Sequence, residues 1–125
     1  MINEGHLNDT YGHPPESWEA AKAEARRILV DKAKAGQLIE YGELTHQIRS
    51  IHFDPHGNEF RRFLGQLSWE EDAAGRAMIT ALVVHKVDSR PGGGFFVLAQ
   101  HLGRDVSDHE RCWSTEVERV FADFR

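Results

Sequence analysis

Residues 75–100 read GRAMITALVVHKVDSRPGGGFFVLAQ, and the predicted fold is arranged around this stretch. Residues 78–87 are mainly apolar and β-branched, which is typical of a strand buried on both faces near the middle of a sheet. Residues 95–98 form a second, shorter strand candidate. Between them, residues 88–94 combine a proline with three glycines, which suit a tight reversal of the chain. The stretch therefore predicts a β-hairpin, Met78–Leu98, with a glycine-rich tip.

The length and cysteine content are typical of one intracellular domain. A chain of 125 residues matches the usual size of a single domain. The lone cysteine, Cys112, cannot form an internal disulfide, which favours a reducing cytoplasm. No apolar run approaches the roughly 18 residues of a membrane helix, and residues 1–16 lack the basic and apolar regions of a signal peptide. We therefore expect a cytoplasmic protein that makes no contact with membranes.

The formal net charge of −5 arises at the two ends of the chain. Residues 1–16 hold three acids and no base, and residues 107–125 hold five acids and three arginines, so that the segment between them is neutral. An acidic total argues against nonspecific binding of nucleic acid, which needs a basic surface to displace counterions. A local basic patch on the neutral segment remains compatible with this composition.

Helical patterns flank the predicted hairpin on both sides. A helix is predicted for residues 17–35 and ends at Gly36, and a short strand at residues 37–41 and a short helix at residues 43–49 follow it. Another helix is predicted from about Asn58, and Gly75 separates it from the hairpin. A terminal helix follows Ser107 or Asp108.

This order of elements is that of a winged helix. We therefore predict an α+β, winged-helix-like fold of three helices with a β-hairpin wing (Met78–Leu98) and an added C-terminal helix. The predicted organisation is a flexible segment at 1–16, a winged-helix-like domain at 17–104, and a helical segment at 105–125 that packs on the domain or on a partner. Trp113, Val117 and Phe121 share one face of that last helix, which predicts either core contact or the interface of a homodimer.

Three short motifs resemble the C-terminal domain of the alkylguanine-DNA alkyltransferases and alkyltransferase-like proteins. Residues 41–44, Tyr-Gly-Glu-Leu, are similar to the family's strand-to-helix entry, and residues 62–65, Arg-Phe-Leu-Gly, are similar to its recognition helix. Residues 78–84 lie where the family carries Pro-Cys-His-Arg before two valines. The resemblance implies that Arg62 takes the place of the arginine that intercalates into DNA.

The same alignment shows that this chain lacks the family's reactive residues. When the two valines are aligned, Thr80, Ala81 and Leu82 stand where the family has cysteine, histidine and arginine. A thiolate nucleophile needs a cysteine activated by a neighbouring base, and Cys112 lies far outside the motif. The resemblance therefore implies a DNA-binding fold without alkyl transfer.

The candidate nucleic-acid contacts are basic residues of the third helix and the wing. Arg61 and Arg62 lie on the presumptive recognition helix, whereas Glu59, Glu70, Glu71 and Asp72 give the same segment a net negative charge that opposes phosphate binding. On the wing the candidates are His85, Lys86, Arg90 and Gly93. The alternative for both groups is that they only keep an exposed surface solvated.

The eight histidines raise the question of a metal site. His52 and His56 are four residues apart around a turn, with Asp54 between them, and three such groups can hold zinc. Pro55 interrupts any helix that would align the two imidazoles, and no CxxC or HExxH pattern accompanies them. We expect solvated loop histidines, no metal and no cofactor.

These observations predict a small, non-catalytic binding protein on a winged-helix scaffold, associated with nucleic acid, with double-stranded DNA as its partner. The alternative is an acidic protein-interaction module of the inhibitor or immunity type that does not bind DNA. In that case the acidic ends and the Glu70-Glu71-Asp72 run would attract a basic protein partner.

Overall fold

The computed structural model describes residues 9–125. In chain order the elements are α1 (Pro15–Ala35), β1 (Ile39–Glu40), α2 (Tyr41–Gln47), α3 (Asn58–Ala73), a 3₁₀ helix (Ile79–Leu82), β2 (Val83–Val84), α4 (Gly93–His101) and α5 (His109–Asp123). The strands β1 and β2 pair in parallel, with Ile39 opposite Val83 and Glu40 opposite Val84. The described chain is therefore mainly helical, with a sheet of two short strands.

The first helix confirms the prediction for residues 17–35 and begins slightly earlier. Pro15 stands at its first position, where the missing N–H costs no hydrogen bond. Its buried face consists mainly of Trp18, Ala21, Ala25, Leu29 and Ala33, at helical spacing. Gly36 ends the helix in the left-handed conformation, with φ of 67°. Residues 1–8 of the predicted flexible segment lie outside the described residues, and its last two residues belong to α1.

The centre of the core is the segment from Ala77 to Val84, in which every residue is buried. The 3₁₀ helix within it packs against α1, α3 and α5. Because a buried irregular backbone needs hydrogen-bond partners, side chains from the surrounding helices supply them. The Met78 N–H donates to Glu116 Oε2 at 2.9 Å, and the Trp113 indole N–H donates to the Ala81 carbonyl at 2.8 Å.

The predicted β-hairpin wing, Met78–Leu98, is wrong, and the winged-helix prediction is wrong with it. β2 has only two residues and pairs in parallel with β1, whereas a hairpin needs an antiparallel neighbour. Residues 95–98, predicted as a strand, belong to α4. The sequence pattern explains the difference, because Phe95, Leu98 and Ala99 are buried while Val97 is exposed, which is helical spacing rather than alternation.

The terminal helix packs on the same core as the rest of the chain. Trp113 and Val117 are buried within the chain, and Phe121 is partly buried against the core. The core-contact prediction for this helix is therefore confirmed, and two of the three residues predicted for a homodimer interface are not on the surface.

No helix within residues 9–125 combines the length and the hydrophobicity needed to cross a bilayer.

Candidate functional site

A cavity of about 240 Å³ lies where the first residues of α2, α3 and α4 meet the loop after β2. Its polar lining consists of Tyr41, His56, Arg61 and His85, together with the glycines Gly57, Gly92, Gly93 and Gly94. Pro55 and Phe95 complete the wall. No carboxylate of residues 9–125 lines this cavity, which we call the α3–α4 pocket.

Two helices begin at the α3–α4 pocket. Gly57 is the N-cap residue of α3 and Gly92 is the N-cap residue of α4, and a glycine has no side chain that could accept a hydrogen bond from the first N–H groups of its helix. The first N–H groups of a helix have no partner within the helix. Both sets of N–H groups, with the positive ends of the two helix dipoles, therefore lie beside one cavity.

The loop after β2 connects this strand to the start of α4. The His85 N–H donates to the Arg90 carbonyl at 2.9 Å, and the Ser89 N–H donates to the His85 carbonyl at 2.9 Å, which closes a tight turn. Pro91 is buried behind this turn. The glycine run then follows immediately, so that residues 92–94 form the cap and first turn of a helix rather than the tip of a hairpin.

Close contacts favour glycine at this edge. A Cβ atom on Gly92 would lie 3.2 Å from His85 Nε2 and 3.4 Å from the Tyr41 hydroxyl. A Cβ atom on Gly94 would lie 3.2 Å from Arg61 Cδ. The side chains of His85, Tyr41 and Arg61 therefore lie close against the start of α4, and a larger residue would make them shift by a few tenths of an ångström.

The aromatic side of the pocket is built on Tyr41. A capping box between Glu40 and Glu43 starts α2 at this residue, directly after β1. The Tyr41 ring stacks on the His85 ring with centroids 4.6 Å apart, and its hydroxyl accepts a hydrogen bond from the Gly92 N–H at 3.1 Å. The His56 ring lies nearly parallel to that of His85, with centroids 6.2 Å apart.

Arg61 supplies the charge of the pocket. It lies one turn from the start of α3, its side chain is exposed, and no carboxylate within residues 9–125 pairs with its guanidinium. An unpaired arginine in a cavity without acids favours an anionic ligand, because the guanidinium presents a fork of N–H donors to carboxylate or phosphate oxygens.

The acidic residues at the C-terminal end of α3 are compensated by cations from other parts of the chain. Glu70 accepts a hydrogen bond from Lys22 at 2.6 Å, and Asp72 accepts one from Arg104. Glu71 is buried between Arg26 and Arg76, at 3.0 and 2.9 Å. Burial alone would raise the pKa of Glu71, but the hydrogen bonds from Arg76 and Arg26 outweigh it and hold the pKa below its ordinary value.

Of the residues predicted to contact nucleic acid, the structure brings Arg61, His85 and Gly93 together at the α3–α4 pocket. Arg62 lies next to Arg61 in the chain but packs over the Tyr11 ring, 5.4 Å from its centroid. Lys86 is exposed in the loop after β2.

Arg90, also predicted as a contact, is engaged by its own chain. Its Nε donates to Glu110 at 2.8 Å, and its guanidinium lies 4.8 Å from the centre of the Trp113 ring. It does not line the pocket. The predicted set therefore divides into pocket residues, an exposed lysine and two arginines that lie against aromatic rings.

Sequence reasoning missed Tyr41, His56, Gly57 and Gly92 as pocket residues. A usable signal was present in the spacing of Phe95, Leu98 and Ala99, which indicates a helix whose cap must be the preceding glycines. Gly57 before the apolar stripe of α3 carries the same signal for a second glycine-capped helix.

The other titratable candidates lie elsewhere. His52 is exposed, and no three His, Cys, Asp or Glu side chains of the described residues converge to hold a metal ion. Cys112 is buried outside the pocket lining, and burial together with the charge of Glu116 raises the pKa of its thiol, which opposes a role as nucleophile.

No family model, curated protein or solved structure matches this chain, so the resemblance to the alkyltransferases stays a prediction.

Proposed function

We propose that this protein binds nucleic acid and holds a phosphate group of the strand in the α3–α4 pocket. Arg61 would pair with the phosphate oxygens, and the first N–H groups of α3 and α4 would donate hydrogen bonds to them. His56 and His85 each offer a further ring N–H. The role is one of binding without catalysis, and we place the protein in the cytoplasm because its lone Cys112 suits a reducing compartment.

The proposal rests on the meeting, at one cavity, of two glycine-capped helix starts and Arg61, where no carboxylate of the described residues lines the cavity or pairs with the arginine. Each helix N-terminus is equivalent to about half a positive charge, so with Arg61 the pocket presents roughly two positive charges to a ligand. Cations near the positive end of a helix are unfavourable in the absence of an anion. A bound phosphate would relieve that repulsion.

The net charge of −5 does not count against local binding at this pocket. Glu70, Glu71 and Asp72 are paired with Lys22, Arg26, Arg76 and Arg104, so the charge they direct at solvent is reduced. Surface charges further than about one Debye length, roughly 10 Å at 0.1 M salt, act weakly on a ligand. The charge of the pocket lining therefore matters more than the total.

The same pairing weakens support for the acidic interaction module. That alternative relies on the acidic ends of the chain and on the Glu70-Glu71-Asp72 run to attract a basic partner. Glu71 is buried and Asp72 is bonded to Arg104, so only part of the run faces solvent. The nucleic-acid proposal is therefore the better supported of the two.

The test is fluorescence anisotropy of the protein with a labelled mixed-sequence DNA duplex at about 50 and about 200 mM salt. We expect Arg61→Ala to weaken binding about tenfold or more at the lower salt, because one charge-assisted contact contributes about 1.5–3 kcal/mol. The slope of the logarithm of the binding constant against the logarithm of the salt concentration should decrease by about 1, which corresponds to the loss of one phosphate contact.

Arg27→Ala is the matched control. Arg27 is an exposed arginine of α1 outside the pocket lining, so its loss changes the net charge equally without touching the site. Equal weakening by the two variants, or no binding of the unmodified protein at low salt, would contradict the proposal.

A further inference from the structure

We infer that the α3–α4 pocket selects the terminal phosphate monoester at the end of a nucleic-acid strand over the phosphodiesters within it. This inference rests on the proposed function and names the part of the strand that enters the pocket. It is carried by the size of the cavity and by the cluster of Arg61, His56 and His85 in its lining.

The size of the cavity favours a chain end. At about 240 Å³ it is below the range of roughly 300–1,000 Å³ typical of pockets for whole small molecules. It offers room for a phosphate group rather than a complete nucleotide. A phosphate within a strand carries a sugar on each side, whereas a terminal phosphate has a single substituent and can enter a cavity of this size end-on.

The charged groups also match a monoester better than a diester. A phosphate monoester carries about 1.5–2 negative charges near neutral pH and has three free oxygens, whereas a phosphodiester has one charge and two. Arg61 alone balances a diester. His56 and His85, which share its cavity, add ring N–H donors and, when protonated, further positive charge.

The geometry lets one phosphate group reach several of these side chains. The rings of His56 and His85 lie nearly parallel, with centroids 6.2 Å apart, and both line the same cavity. Tyr41 and Gly92 pack against His85 and hold that ring at the wall, next to the start of α4. Arg61 packs on Gly94 at the same edge.

A DNA hairpin with a fluorophore in its loop tests the inference, because such a molecule has one 5′ end and one 3′ end. Three otherwise identical hairpins carry a 5′-phosphate, a 3′-phosphate or two hydroxyl ends, and each is titrated by anisotropy. We expect one or both phosphorylated hairpins to bind about tenfold or more tightly than the hydroxyl hairpin. The gain should disappear in Arg61→Ala and persist in Arg27→Ala, with thermal melting showing that both variants fold.

The outcomes separate the two proposals. If all three hairpins bind equally and Arg61→Ala weakens each to the same extent, the proposed function stands and the selection of strand ends is overturned. If none binds, both proposals fail. If inorganic phosphate binds as tightly as the phosphorylated hairpin, the pocket serves free phosphate and the inference is overturned.

Discussion

At the C-terminal end of α3, the acidic residues are bonded to cations of the same chain, whereas at its N-terminal end Arg61 has no carboxylate partner among the described residues. Glu71 is buried, and Arg61 is exposed beside a cavity. The net charge of α3 therefore does not describe the charge at either of its ends. The three acids at the C-terminal end act within the fold, and the charged residue of α3 that lines the cavity is Arg61.

The partners of the acidic end show what these carboxylates do in the fold. Glu71 joins Arg26 of α1 to Arg76, which follows α3. Arg104 bridges Asp72 of α3 and Glu116 of α5. These ion pairs hold three helices around the buried 3₁₀ segment. Removing a carboxylate here should affect stability, whereas removing the arginine at the other end should affect binding.

The largest expected effect is that of Glu71→Gln on stability. The change leaves two arginines without their shared carboxylate, and we expect the free energy of unfolding in urea to fall by about 2–3 kcal/mol, below the usual range for buried pairs because both arginines reach solvent. Glu118→Gln in α5 is the control, since this exposed carboxylate has no ion pair among the described residues and should change stability by at most about 0.5 kcal/mol. If the two variants lose the same free energy of unfolding, the distinction between the buried, paired carboxylate and an exposed one is wrong.

The pH dependence of the same variant sharpens this test. The pKa of Glu71 is lowered in the folded protein from its ordinary value of 4.5, so the unfolded chain takes up the proton first as the pH falls. Its contribution to stability is complete above the unfolded pKa and is lost as the pH falls through the folded pKa. Urea unfolding at about pH 7 and pH 4 should therefore show a smaller difference between Glu71→Gln and the unmodified protein at the lower pH. A constant difference would contradict the pairing.

A smaller effect, on binding rather than stability, is expected at the other end. Gly94→Ala places a Cβ atom 3.2 Å from Arg61 Cδ and displaces the arginine, while alanine favours the helix by up to about 1 kcal/mol over glycine. We expect unchanged or higher thermal stability with DNA affinity lowered several-fold, as measured by melting and anisotropy. Gly65→Ala in α3 meets nothing within 4 Å and should leave affinity unchanged. If Gly94→Ala binds DNA as well as Gly65→Ala does, the position of Arg61 is not important.

The helices could be predicted from the sequence because their signals are local. Trp18, Ala21, Ala25 and Leu29 repeat at helical spacing before Gly36, and α1 follows this pattern to its end. The Arg61 part of the candidate site was predicted for a similar reason, since an arginine on the polar side of an amphipathic helix stands out.

The wing could not be predicted correctly because its pattern is ambiguous at short range. Residues 78–84 are apolar except for Thr80, which suits a buried strand or any other buried segment, and here the surrounding helices hold part of the segment as a 3₁₀ helix. Glycines at residues 92–94 suit a hairpin tip or a helix cap equally well. The pocket could not be predicted from local patterns either, because residues from four separate parts of the chain line it.

The central claim is that the N-terminal end of α3 and the start of α4 together bind phosphate groups of nucleic acid. The most direct measurement is a titration of ¹⁵N-labelled protein with the 5′-phosphorylated DNA hairpin, followed by amide and arginine Nε chemical shifts. We predict the largest changes at residues 57–61, at residues 92–95 and at the Arg61 side chain, with residues 70–72 unaffected. Changes centred on residues 70–72, or no change anywhere, would contradict the claim.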